Sequence, residues 1–287
     1  MSSFSNYGSS KYWDERYESD SCTPFEWYQT YDSLQQFLHP NVLSPSKNPA
    51  KESSVEFPTK SQSKVLIVGC GSSRFGEQMM QDGWIGGITN VDNSQVCIDQ
   101  AKKRNNNDGM YRKIQAKLNR ETREANAKIQ EDSRDETPSL HNSDNTAKQQ
   151  RFTTPSVSKG SGKRSSDSNL CIPKMVYECA DVTKSFPYPD SSFDLIINKG
   201  TMDSILCSNG AMMNTKKMMK ECSRLLKDHG SMIVVSHGKP DDRLLYFENE
   251  EQWWNGGVRV YKVEKPNIGA LVAASGSKFH FIYLASK

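Results

Sequence analysis

Lys64-Val-Leu-Ile-Val-Gly-Cys-Gly-Ser-Ser73, read with Asn90-Val-Asp-Asn93, decides the fold of this chain. Val65 to Val68 is an unbroken aliphatic run, short enough for a strand buried on both faces of a parallel sheet. It ends in Gly69-Cys-Gly71, a turn with no side chain at two positions. About 20 residues on, a second strand over Gly87-Ile-Thr-Asn-Val91 ends in Asp92. Glycines after a first strand let a ligand approach the backbone, and a carboxylate after the second can accept two ribose hydroxyls. This is the layout of an adenosine-binding α/β domain.

A dinucleotide fingerprint needs a third glycine, at the place where this chain has Arg74. The spacing therefore weakens the dinucleotide reading and leaves other adenosine ligands open. Cys70 lies inside the turn, where a small residue fits without any need for a nucleophile.

The elements that follow are regular. Phe75–Asp82 and Ser94–Arg104 read as helices, and Met175–Ala180 and Ser192–Asn198 as the third and fourth strands. A methionine-rich amphipathic helix runs from about Met212 to Leu226 and stops at Lys227-Asp-His-Gly230, where the glycine is a stop signal. Ser231–Ser236, Val258–Val263 and Phe279–Leu284 complete the strands. Alternating strands and helices predict a doubly wound, mostly parallel seven-stranded sheet. The short link from Glu264 to Ser277 suits an antiparallel pair, which puts one antiparallel strand near an edge.

Composition bounds the class. The 287 residues suit one large α/β domain. Met1 to Ser10 has no apolar core of a secretory signal, and no run approaches the roughly 20 apolar residues of a membrane helix. The seven cysteines, at 22, 70, 97, 171, 179, 207 and 222, are scattered and contain no Cys-x-x-Cys pair. They read as reduced thiols of a cytoplasmic or nuclear protein, with no metal site and no disulfide frame.

One stretch differs from the rest. Lys102 to Ile172 carries 15 basic and 9 acidic residues, whereas the remainder carries 22 and 25. From 105 to 170 the chain is rich in Asn, Ser, Lys and Gln and poor in large apolar residues, too poor to offset its ordering entropy. We read it as a largely disordered insertion within a single domain spanning 1–287. Its first part, Tyr111 to Ile129, has enough helix formers to extend the preceding helix. Without interleaved aromatics, its basic residues do not point to nucleic acid.

Several stretches together resemble a known family. Lys11-Tyr-Trp-Asp-Glu-Arg-Tyr17, Pro24-Phe-Glu-Trp-Tyr28, Asp194-Leu-Ile-Ile-Asn-Lys-Gly-Thr-Met-Asp203 and Ser275-Gly-Ser-Lys-Phe-His-Phe-Ile-Tyr283 look like the methyltransferase-like 13 group, to which elongation factor 1-alpha lysine methyltransferase 4 belongs. These are class I S-adenosylmethionine-dependent methyltransferases. The resemblance implies S-adenosyl-L-methionine as cofactor. It implies Trp13, Tyr17 and Trp27 around the methionine end, Gly69 and Gly71 beneath the cofactor, and Asp92 on the ribose. It implies Asn93, Asp181 and Val182 near the adenine and Lys199 beside the cofactor. It also implies a protein substrate, elongation factor 1-alpha foremost.

The family usually has an acid where this chain has Asn198, a group that could hold an amine or position a turn. Lys199, Asp203 and His237 follow the fourth and fifth strands, where such sheets place ligands, and are the candidate catalytic residues. His237 could orient the substrate or cap its strand. The alternatives are a methyltransferase for a small molecule or RNA, and an inactive cofactor-binding protein. An Asn-Pro-Pro-Tyr tetrad, common in nucleobase amino methylation, is absent after the fourth strand.

Overall fold

The computed structural model describes residues 7–19, 24–44, 57–105, 108–132, 172–248, 253–266 and 277–287. The chain divides into two compact units, one of residues 1–108 and 172–287, the other of 109–171. In the second unit the described part is the helix that begins at its border, Asp108–Asp132. The expectation of disorder over 105–170 otherwise falls outside the described residues. That helix has 25 residues, and the preceding one is described as far as Asn105.

The first unit is a single seven-stranded sheet. Its strands are β1 (Val65–Val68), β2 (Ile88–Asp92), β3 (Val176–Cys179), β4 (Phe193–Lys199), β5 (Leu226–Ser236), β6 (Gly257–Glu264) and β7 (Phe279–Ser286), in the order β3-β2-β1-β4-β5-β7-β6. The first five are mutually parallel. β7 runs antiparallel to both its neighbours, so the reversed strand lies one place in from the edge. All four residues of β1 are buried, as expected for the central strand covered on both faces.

Numbering helices in chain order, α1 is Ser10–Ser19, α2 Tyr31–Leu34, α3 Pro40–Leu43, α4 Phe75–Gln81, α5 Gln95–Asn105 and α6 the Asp108–Asp132 helix. They are followed by α7 (Thr201–Leu206), α8 (Ala211–Leu225) and α9 (Pro240–Arg243). Met218, Met219, Cys222 and Leu225 of α8 are fully buried against Leu66, Ile196 and Met232 of the sheet. Flexible methionines fill this layer at helical spacing.

The end of α8 corrects the expected glycine stop. The helix stops at Leu225 because Leu226 turns to extended backbone, and β5 starts there, five residues earlier than predicted. The left-handed residue in the link is His229, not Gly230.

Strand order reverses direction at β1, with β2 on one side and β4 on the other. Such a switch point opens a crevice beyond the carboxyl ends of the strands, where doubly wound sheets bind ligands.

Candidate active site

The crevice is a cavity of about 360 Å³, and the residues the sequence pointed to share its wall. Trp13, Tyr17, Trp27, Gly69, Gly71, Asp92, Asn93, Asp181, Val182, Lys199, Asp203 and His237 all line it.

The glycine turn forms its floor. Gly69 and Gly71 both have left-handed backbone, at φ 64° and 55°. A Cβ on Gly69 would lie 1.9 Å from Thr201 Oγ1, whose hydroxyl donates to the Val68 carbonyl at 2.9 Å. A Cβ on Gly71 would point to the Tyr17 hydroxyl at 3.0 Å. Cys70, between them, is buried. Hydrogen bonding with Cys97 and burial push its thiol well above the ordinary value, so it stays protonated and serves as the small residue expected.

Asp92 ends β2 with its carboxylate folded over the turn. Its Oδ2 accepts the Gly71 N–H at 2.9 Å and its Oδ1 the Ser94 N–H at 3.0 Å. Burial pushes the carboxyl up, against the pull of those two donors. Each oxygen keeps a second lone pair, so two hydroxyls can dock there.

Asp181 lines the cavity after β3 and also makes a local contact. Its Oδ1 accepts both the backbone N–H and the hydroxyl of Thr183, at 2.9 and 2.7 Å. It caps the turn after β3. Burial raises its carboxyl, but the Thr183 hydrogen bonds and the Lys184 charge outweigh that and hold it low.

The N-terminal segment roofs the cavity with aromatics. Trp13 stacks on Tyr17 at 5.8 Å and 25°, and meets Trp27 edge-on at 6.3 Å. Tyr17 is buried. Side chains fasten α1 to α5: Asp14 Oδ1 accepts from Ser94 Oγ at 2.5 Å, and Gln100 Nε2 donates to the Tyr17 carbonyl at 2.8 Å.

Glu26, given no role in the quoted Pro24–Tyr28 stretch, ties the roof to the floor. Its carboxylate accepts from Ser73 Oγ at 2.7 Å, from the Arg74 N–H at 2.9 Å and from Lys199 Nζ at 2.9 Å. Lys199 Nζ also donates to the Trp27 carbonyl at 2.9 Å. Burial lowers the lysine's pKa, and the Glu26 carboxylate opposes it. Lys199 thus braces the roof.

Asn198 settles which role its side chain takes. It is fully buried, its Oδ1 accepts the Met202 N–H at 3.0 Å, and its Nδ2 lies 3.1 Å from Met218 Sδ. It positions the start of α7 beneath the cavity, not an incoming amine. A neutral amide serves there.

The far wall holds a network that spacing could not show. Asp203 Oδ1 accepts from Ser236 Oγ at 2.6 Å and from Arg243 Nη2 at 2.9 Å. Its Oδ2 accepts the His237 N–H at 2.9 Å and faces His237 Nδ1 at 2.8 Å. Burial would raise this carboxyl, but the His237 and Ser236 donors hold it far below the usual range. The Tyr28 hydroxyl also reaches His237 Nδ1, at 2.9 Å. Tyr28 and Arg243 were missed. The first sat in a motif quoted only for resemblance, and the second had no motif at all.

A family model described as a methyltransferase domain matches residues 151–234, which takes in β3, β4 and most of β5. The chain carries a methyltransferase domain. It is 24% identical over 232 residues to the eEF1A lysine and N-terminal methyltransferase of Mus musculus, covering 80% of this chain and 22% of that protein. It is 22% identical over 288 residues to the protein of that name from Xenopus laevis, covering 98% and 29%. To the EEF1A lysine methyltransferase 4 of Mus musculus it is 20% identical over 284 residues, covering 96% and 74%. The chain thus spans under a third of the two-function relatives it matches.

The cofactor of this methyltransferase domain is S-adenosyl-L-methionine, which supplies an electrophilic methyl group on a sulfonium sulfur. The residues present fit it. Asp92 can take a ribose diol, the bare glycine turn leaves room for a ligand against the backbone, and the aromatic roof suits a sulfonium cation by about 0.5–2 kcal/mol. Among the described residues no group of three or more His, Cys, Asp or Glu side chains could hold a metal ion.

Proposed function

We propose that this chain transfers a methyl group from S-adenosyl-L-methionine to a lysine side chain of a protein, with elongation factor 1-alpha the leading acceptor. The observation that carries the reading is the division of the cavity. The β1–β2 side offers a nucleoside seat in Gly69, Gly71 and Asp92. The β4–β5 side opens toward solvent past His237, whose side chain is 53% exposed. An extended lysine side chain suits that opening. Two curated relatives that the chain matches over at least 80% of its length carry eEF1A lysine methylation in their names, which supports the acceptor. The N-terminal activity named for the first is not part of the proposal.

Asp92 would hold the ribose, and Trp13, Tyr17 and Trp27 would close over the methionine end. Asn93 and Val182 would flank the adenine. The chemistry demands a neutral amine, since an ammonium has no lone pair to attack with, and lysine in water has a pKa of about 10.4. Holding that amine in line with the methyl group contributes several kcal/mol, roughly 7–11 at best. A single methyltransferase domain interrupted at 105–170, and a cytoplasmic location, belong to the same proposal.

The test is transfer of radiolabelled methyl from S-adenosyl-L-methionine to purified elongation factor 1-alpha and to a cell lysate, with the labelled residues mapped by mass spectrometry. Label on lysine is expected. A chain that binds the cofactor yet labels no lysine in either sample ends the reading, and label on RNA or a small molecule replaces it.

A further inference from the structure

We propose that His237 is the catalytic base, removing the proton from the acceptor lysine through Nε2, with Asp203 and Tyr28 as positioning residues. The proposal rests on the lysine reading above and deepens it.

Strand order supplies the first argument. Asp92 ends β2 and Asp181 follows β3, both on one side of β1. Lys199 ends β4 and His237 follows β5, both on the other. A nucleoside seated at Asp92 leaves the β4–β5 side of the same cavity for the reacting amine.

Elimination among the side chains there supplies the second. Lys199 is a cation already bound to Glu26 and the Trp27 carbonyl. Asp203 accepts from Ser236, from Arg243, and from the backbone N–H and ring Nδ1 of His237, so its oxygens are occupied. Tyr28 stays a neutral phenol, because burial and the Asp203 charge push its hydroxyl far up. His237 is left. A carboxylate oxygen 2.8 Å from Nδ1 requires a proton on that nitrogen. Nε2 then carries the lone pair.

Backbone strain supplies the third. Tyr28 adopts φ 65°, a left-handed conformation uncommon outside glycine and held only where the surroundings impose it. It sets the phenol against His237 Nδ1, with the ring packed on His280 at 4.7 Å. Gln29 Nε2 pins the next residue by donating to the Glu264 carbonyl at 2.7 Å. Asp203 and Tyr28 thereby hold one edge of the imidazole from two elements distant in sequence.

The step balances. Nε2 takes a proton from the lysine ammonium, leaving a neutral amine. The amine nitrogen forms a bond to the methyl carbon as the carbon–sulfur bond breaks, its electron pair passing to sulfur. The product is a methylammonium, and the imidazolium, stabilised by Asp203, returns its proton to water across its exposed edge. The charged and titratable groups around His237 are Asp203 from α7, Arg243 from α9, Tyr28 from the N-terminal segment, His280 from β7 and Lys199 from β4.

The test compares the full chain with His237→Gln and Tyr28→Phe. In His237→Gln, kcat is expected to fall about 10²–10⁴-fold near neutral pH, the usual worth of a general base. Cofactor affinity by calorimetry should not change. Its rate should climb about tenfold per pH unit toward the lysine's own pKa, over a range where the wild type is level. Tyr28→Phe should lose less in kcat and keep the wild-type slope. Independently of turnover, ¹⁵N-histidine NMR should show the signal missing from His237→Gln as Nδ1–H with an unprotonated Nε2. A wild-type kcat and pH profile in His237→Gln, or an Nε2–H tautomer in the wild type, overturns the proposal alone. A cofactor-bound wild type that methylates no lysine overturns it together with the lysine reading.

Discussion

The two ends of the cavity are built by opposite means. At the β1–β2 end, the turn Gly69–Gly71 and Asp92 are about 20 residues apart, and the seat is bare backbone with one carboxylate that accepts a turn N–H. At the β4–β5 end, Tyr28, Asp203, Ser236, His237 and Arg243 come from segments up to 215 positions apart and act through side chains on one carboxylate. A local seat tolerates change around it as long as the backbone path is kept. A long-range network depends on every element that feeds it, so damage at one member spreads to stability.

The largest effect that would test this contrast is at Asp203. Asp203→Asn leaves Arg243 buried without its charge partner and should cost about 3–5 kcal/mol, measured by urea unfolding near pH 7. The sign with pH is fixed by the direction of the shift. The folded carboxyl is held below its unfolded value, so its contribution is present above about pH 4 and is lost as pH falls through the folded pKa. The gap between variant and wild type should therefore shrink in acid. An equal gap at pH 7 and at low pH would remove the ionised network from the account.

Next comes Gly69→Ala. The left-handed backbone and the overlap with Thr201 should together cost about 2–4 kcal/mol of stability and abolish cofactor binding in calorimetry. A stable variant with normal affinity would mean that the turn is not the seat.

Asp92→Ala should weaken S-adenosyl-L-methionine by about 1–3 kcal/mol, the scale of a lost charged hydrogen bond. Stability of the unliganded chain should change little, because the buried carboxylate it removes is itself disfavoured by burial. Unchanged affinity would take the ribose from this residue.

Smallest is Asp181→Ala, which should lose about 1 kcal/mol or less of stability by uncapping the Thr183 turn and leave cofactor affinity nearly unchanged. A loss of affinity as large as that of Asp92→Ala would return Asp181 to the adenine contact that the resemblance implies.

The contrast also separates what is legible in the sequence from what is not. β1, the bare turn and Asp92 were legible because each depends on neighbours along the chain, and the alternation of strands and helices carried the sheet and its one reversed strand. Helices α1, α2, α3, α7 and α9 were not, because contacts with distant segments hold them, as Ser94 holds Asp14 and Asp203 holds Arg243. The start of β5 was misplaced because Lys227-Asp-His-Gly230 reads as a stop, while pairing of Leu226 with Phe193 draws it into the sheet.

By itself, then, the sequence determined a doubly wound α/β sheet with an adenosine seat after its first strand, because apolar runs, positive-φ turns and a carboxylate at fixed spacing are local constraints. Tertiary structure alone decided that Asn198 supports α7, that Lys199 braces the aromatic roof through Glu26, and that Asp203 orients His237 under Tyr28. Those roles depend on which strands lie side by side and on which groups burial forces to find a partner, and burial is a property of the packed chain, not of the spacing between residues.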